Sequence, residues 1–295
     1  MSISIRFAAA LLLAACAPLG ASAAGLDLSR YSLTQTIALP SSTASESSAI
    51  TWNWDNDHLY VVGDEGEYIT EVTRSGTVVS SMRLSGFDDT EALTYIGNGQ
   101  FVIGEERIQD VYKLTYQAGG TASRGTLTSV SLGATVGNVG LEGISYDRAT
   151  GQFVTVKEKG PQFVGLGSIN FSNGTHTVGS LFTPNLGLAD LSDVQTLSGF
   201  VGTSYADNLL IFSQESRSLL EVTRAGGIVS AFDFSAISDT AEGVTIAADG
   251  TIYLTDETPN IYVLTAAVPE PGTYALMFSG LAVVGAVAAH RRRRA

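Results

Sequence analysis

The chain has 295 residues, 44% of them hydrophobic, and its 16 Lys and Arg stand against 29 Asp and Glu, a formal net charge of −13. Nucleic-acid binding needs a basic footprint that this balance lacks. The single cysteine, Cys16, rules out a disulfide-stapled scaffold, so a buried core must hold the fold, and the chain is long enough for one.

Residues 1–24 carry one basic residue, Arg6, then the apolar run FAAALLLAACA and the small-residue stretch ASAAG. That is the layout of a secretory signal peptide cleaved near Ala23 or Ala24. LAAC (13–16) also reads as a lipoprotein processing site, with Cys16 as the acylated residue. Between the two ends, residues 25–268 keep 11 basic and 28 acidic residues, a charge near −17. Such acidity suits a soluble surface protein or one that recruits cations.

From residue 31 onward the chain reads as short strands. YSLTQTIAL (31–39) comes first, and then a unit of about fifty residues recurs five times. Its first strand is SSAITW (47–52), TEALTY (90–95), LEGISY (141–146), LSDVQT (191–196) and AEGVTI (241–246). Its second is YVVGDEG, FVIGEER, FVTVKEK, LIFSQES and YLTDET, closing on Glu65, Glu106, Glu158, Glu215 and Glu257. Third strands such as YITEVT (68–73) and fourth strands such as GTVVSSMRL (76–84) follow. Short strands at this spacing, with Gly, Asp and Asn turns between them, predict an all-β protein. Four strands per unit predict a β-propeller of five blades. The fifth unit lacks a fourth strand, and YSLTQTIAL is expected to supply it and close the ring. A sandwich or β-solenoid is the competing architecture.

The propeller is expected over residues 25–267, and residues 268–295 form a separate tail, VPEPGTYALMFSGLAVVGAVAAHRRRRA. Gly272 to Ala289 is near the lower limit for a membrane-spanning helix, and Arg291–Arg294 would hold its end in the cytoplasm. Pro-Glu-Pro, a short apolar helix and an Arg cluster together resemble the PEP-CTERM sorting signal. That resemblance implies a Gram-negative bacterium, transient anchoring in the inner membrane, removal of the tail by an exosortase, and delivery to the cell surface or extracellular matrix.

In a propeller the residue before each first strand and the residue after each second strand share one rim of the central channel. Glu91, Glu142 and Glu242 would therefore face one another there, with Ser48 and Ser192 at the equivalent places and Glu46, Asp190 and Asp193 nearby. Two unit charges ~6 Å apart at an effective dielectric of ~20 repel by about 3 kcal/mol, which protonation, basic partners or a cation would relieve. Oxygen-rich, cysteine-free surroundings suit a hard ion, and an irregular ring suits Ca²⁺ better than Mg²⁺. The alternative is a set of carboxylates that accept backbone N–H bonds at the mouth. The five glutamates that end the second strands recur in every unit and read as structural, with Glu106 and Glu158 also placed to support a metal's ligands. Arg107, Lys157, Lys159 and Arg217 would neutralise the rim or contact an anion beside a metal. No Gly-x-Ser-x-Gly elbow, phosphate loop or His-based zinc motif occurs.

LEGISYDRATGQFVTVKEKG, its repeat AEGVTIAADGTIYLTDET, and LSDVQT with LLIFSQESRSLLEVTRAGGIV resemble the SdiA-regulated (YjiK-like) family across most of residues 41–265. The resemblance implies a five-bladed propeller with a calcium site in the channel region. By position, Glu91, Glu142, Asp193 and Glu242 match that site. Blade four departs, since SDVQTLSGFVGTSYADN carries extra residues between its strands. The chain thus reads as a calcium-binding module at the cell surface or in an exopolysaccharide matrix. The other reading is a calcium-dependent hydrolase of esters or phosphoesters, as in propellers that use a channel-bound Ca²⁺ as a Lewis acid.

Overall fold

The computed structural model describes residues 26–267. After a 3₁₀ turn (Leu28–Arg30), β1 (Tyr31–Ala38) runs apart from its sequence neighbours. Blade one is β2 (Ser47–Asn53), β3 (His58–Gly63), β4 (Tyr68–Thr73) and β5 (Val78–Ser85). Blade two is β6 (Thr90–Gly97), β7 (Gln100–Glu105), β8 (Asp110–Thr115) and, beyond the short β9 (Thr121–Ser123), β10 (Ser129–Ser131). Blade three is β11 (Leu141–Asp147), β12 (Gln152–Lys157), β13 (Phe163–Gly167) and, after the hairpin β14 (Ile169–Asn170) and β15 (Thr175–His176), β16 (Gly179–Phe182). Blade four is β17 (Asp193–Thr196), β18 (Leu209–Ser213), β19 (Ser218–Val222) and β20 (Ile228–Asp233). Blade five is β21 (Ala241–Ile246), β22 (Ile252–Asp256) and β23 (Asn260–Ala266), completed by β1.

This is the five-bladed propeller expected from the repeat. The N-terminal strand closes the ring, pairing antiparallel with β23 from Tyr31↔Ala266 to Ala38↔Asn260. Strand β9 was not foreseen. It pairs in parallel with β5, from Arg83↔Thr121 to Ser85↔Ser123, and so covers the outer edge of blade one.

Five apolar clusters fill the five blade interfaces in place of one central core. Between blades one and two, for example, Tyr60, Val62 and Ile69 meet Tyr95, Phe101 and Ile103. The period of two in each strand turns one face to the preceding blade and the other to the next, so both faces are apolar and buried. Strands β3, β7, β18 and β22 are accordingly buried along all or nearly all of their length.

The inner strands β2, β6, β11, β17 and β21 pack on one another around the axis. Each has a ladder partner on one edge only, which leaves backbone donors facing the channel. A belt of side chains satisfies them. Thr51 accepts the N–H of Tyr95 (3.1 Å), Thr94 that of Tyr146 (3.0 Å), Ser145 that of Thr196 (2.9 Å) and Thr245 that of Trp52 (3.1 Å). In blade four the hydroxyl is replaced by Gln195, whose Oε1 accepts the Thr245 hydroxyl at 3.0 Å. Each of these bonds stabilises the ring by about 1 kcal/mol net, and each links one blade to the next.

Candidate functional site

The acidic mouth lies where the inner strands begin. In blades one, two, three and five the ladder slips by one residue there, between Ser47/Ala49, Thr90/Ala92, Leu141/Gly143 and Ala241/Gly243. The bulged residues are Ser48, Glu91, Glu142 and Glu242, which are the mouth positions assigned from the repeat. An extra residue breaks the period-two alternation, so the bulged side chain is re-aimed toward the channel. The residue after each one is Ala or Gly, which leaves room for it. In blade four the order is reversed, with small Ser192 followed by acidic Asp193.

Glu91 interacts electrostatically with both Glu142 and Glu242. Burial pushes the Glu142 carboxyl well above the usual carboxylate range, and the charges of Glu91 and Glu106 add to the effect. Glu91 is raised by burial, then by Glu242 and Asp64. Glu242 is pushed up to about 8 by burial and by Glu257. The nearby Ser48 hydroxyl, which donates to the Glu46 carbonyl at 3.2 Å, favours the charged forms of Glu91 and Glu242 but does not outweigh burial.

Two groups of three carboxylates stand at this mouth, each with oxygens within 4.8 Å of one another: Glu106, Glu142 and Glu158, and Glu46, Asp64 and Glu65. In the first, the turn after β7 supplies Glu106 and the turn after β12 supplies Glu158. Glu106 Oε1 accepts the Gly140 N–H at 2.9 Å, which ties blade two to the entry of blade three. Burial raises the pKa of Glu106 as well, and carboxylates this close to Glu142 repel unless one keeps a proton or a cation stands between them. In the second group, Asp64 is pushed up to about 6 by burial and by Glu46.

The structure brings Glu142, Glu106 and Glu158 together, with Glu91 between Glu142 and Glu242 in its electrostatic interactions. It directs Asp193 elsewhere. That carboxyl is deeply buried and accepts the N–H of Val194 (2.7 Å) and of Val244 in blade five (2.7 Å), so it joins two inner strands. A Cβ at Gly143 would lie 2.6 Å from Asp193 Oδ1, so glycine is required opposite it. Asp190 is also occupied: it accepts the hydroxyls of Ser192 (2.7 Å) and Ser213 and the N–H groups of Gln214 and Glu215.

Each of the four basic residues has a protein partner. Arg107 pairs with Asp89 (2.9 Å) and Asn138 (3.0 Å), and Arg217 with Asp239 (3.1 Å). Lys159 bridges Glu158 (2.8 Å) and Glu215 (2.6 Å), while Lys157 turns to the carbonyls of Lys159 and Pro161.

Register also corrects the second glutamate series. The residues that follow the last ladder positions Gly63, Glu105, Lys157, Ser213 and Asp256 are Asp64, Glu106, Glu158, Gln214 and Glu257. Glu65 and Glu215 lie one place further on and are exposed. Sequence reading therefore missed Asp64 and Gln214, the latter donating from Nε2 to Glu242 at 2.9 Å. It also missed the hydroxyl belt, although T, T, S, Q and T stand in one column of the aligned first strands.

The profile of the SdiA-regulated family matches residues 25–265, and that of the PEP-CTERM protein-sorting motif matches residues 267–294. The chain belongs to the SdiA-regulated family. Its motif is a sorting signal recognised by exosortase and implies export through the membrane to the cell surface. The proposed spanning helix lies outside the described residues, and no helix among those described is long and apolar enough to cross a membrane. Myxococcus xanthus glutaminyl cyclase is similar in fold, at 11% identity and a TM-score of 0.56 over 81% of this chain and 97% of that one. Virginiamycin B lyase from Staphylococcus aureus matches at 16% identity and a TM-score of 0.42 over 76% and 67%.

Proposed function

We propose that this member of the SdiA-regulated family is an exported surface propeller that holds a calcium ion at its acidic mouth and acts as a binding module at the cell surface or in an exopolysaccharide matrix. One observation carries the metal: Glu106, Glu142 and Glu158 hold carboxylate oxygens within 4.8 Å of one another. Calcium takes six to eight oxygens at about 2.3–2.6 Å, so donors in its shell lie up to roughly 5 Å apart. The donor set contains hard oxygens and no sulfur or imidazole, which fits calcium and disfavours zinc or copper. Glu142 and Glu158 would hold the ion, with the Glu106 oxygen not committed to Gly140. Glu91 adds charge from the inner strand of blade two. The ion would supply two positive charges where burial otherwise keeps protons.

The test is calorimetric titration of residues 25–268 with Ca²⁺ and with Mg²⁺. Glu142→Gln keeps the shape and removes one charge. One saturable calcium site that this substitution weakens at least tenfold is the expected result. Binding that is weak, equal for both metals and lost at 0.5 M salt would describe a diffuse acidic surface instead.

A further inference from the structure

The turns that follow the inner strands meet at the opposite end of the channel, where the chemistry is different. Trp54, Tyr146, Arg148, Ser198 and Phe200 line a concave site there, above Thr51 and Thr94 of the hydroxyl belt. Among the described residues no aspartate or glutamate lines it, in a chain where acids outnumber bases 29 to 16.

Arg148 is the cation of this site. Its guanidinium lies 4.4 Å from the centre of the Trp54 ring, and its backbone N–H donates to Ser198 Oγ at 3.0 Å. A Cβ at Gly199 would sit 3.4 Å from Nη1, so the guanidinium packs close to this loop. The acid next to it in sequence, Asp147, is buried and already paired with Arg224. Arg148 therefore has no carboxylate partner among the described residues. A guanidinium fixed on an aromatic face and free of counter-charge is suited to a ligand carboxylate, which it can grip with two parallel bonds.

The floor offers donors. Thr51 and Thr94 accept backbone N–H groups, and each hydroxyl keeps a proton for which no acceptor stands among the described residues. Thr245 and Thr196, in contrast, donate to Gln195 Oε1 and to the Tyr146 carbonyl. One wall is the loop peculiar to blade four. Residues 197–208 separate its first two strands, against 54–57, 98–99, 148–151 and 247–251 in the other blades. That insertion brings Ser198 and Phe200 to the site, and Phe200 is held by Tyr205 with ring centroids 5.4 Å apart.

We infer that this end of the channel binds an acidic saccharide of the uronate type. Its carboxylate pairs with Arg148, its hydroxyl and ring oxygens accept from Thr51 and Thr94, and the apolar face of its ring lies on Phe200. The site is separate from the carboxylate mouth, so it does not depend on calcium.

Both tryptophans of the chain, Trp52 and Trp54, line the site, so intrinsic fluorescence reads it directly. The processed chain, residues 25–268, would be titrated at fixed ionic strength with galacturonate, galactose and acetate, and calorimetry would repeat each titration. A saturable response to galacturonate is expected, at least tenfold tighter than to either galactose or acetate and unchanged by chelator. Arg148→Gln and Phe200→Ala should each weaken it at least tenfold, with melting temperatures close to the parent's. Equal binding of acetate would mean a non-specific anion site, and equal binding of galactose would mean that the carboxylate is not read. Either result, no response to galacturonate, or full binding by Arg148→Gln overturns the inference.

Discussion

Metal-free protein should lose stability as pH rises from 5.5 to 7.5, the reverse of ordinary acid unfolding. Burial lifts Glu242 to about 8 and Asp64 to about 6, and it lifts Glu91 and Glu142 in the same direction. In the unfolded chain these groups titrate near 4. Between about pH 4.5 and 8 the folded state therefore binds more protons than the unfolded one, and linkage makes stability fall with pH across that window. Groups pulled the other way, such as Asp249, act below it. One proton retained throughout, as on Glu242, is worth about 1.4 kcal/mol per pH unit, so its share of the loss over the two-unit interval is about 2.7 kcal/mol. For a domain of this size that lowers the melting temperature by roughly 5–10 °C. The assay is thermal melting by circular dichroism of metal-stripped residues 25–268 at pH 5.5, 6.5 and 7.5, for the parent and for Glu242→Gln. The substitution removes one of the retained protons, so its decline should be shallower. Saturating calcium should flatten the parent's decline, because the ion takes the place of the protons. A metal-free melting temperature that stays level or rises with pH, or a Glu242→Gln slope equal to the parent's, would refute the reasoning.

Thr94→Val keeps the shape of the belt but leaves the Tyr146 N–H without its acceptor; a loss of about 1–3 kcal/mol is expected in denaturant unfolding. Asp193→Ala strips the acceptors from Val194 and Val244 and should cost more, about 2–5 kcal/mol by the same measurement. Deleting residues 31–39 uncovers the β23 edge that β1 now pairs, and light scattering should detect aggregation. Protein recovered from the native cell surface should end near residues 269–272, and an intact mass that still includes the four arginines would contradict processing of the sorting tail.

Much of this protein could be read from the order of its residues. Five aligned first strands gave the blade count, and a surplus strand at the N-terminus gave the closure. Both follow from local periodicity and from the need to pair every edge. Glu91, Glu142 and Glu242 could be placed at the start of the inner strands because each sits at the same offset from an apolar alternation, and the bulges fall at that offset. What the sequence could not supply was register at the turns. DE and QE each present two polar residues where a strand ends, and only the ladder partners Ser47↔Gly63 and Ser213↔Ser218 show that Asp64 and Gln214 come first. The fate of Asp193 likewise depended on tertiary structure. As a letter it is one more acid at the mouth, but neighbouring inner strands approach so closely at Gly143 and Val244 that its carboxyl meets their backbone before it meets the glutamates. Partners about fifty residues apart are fixed by how the blades pack around the axis, and no local pattern records that distance.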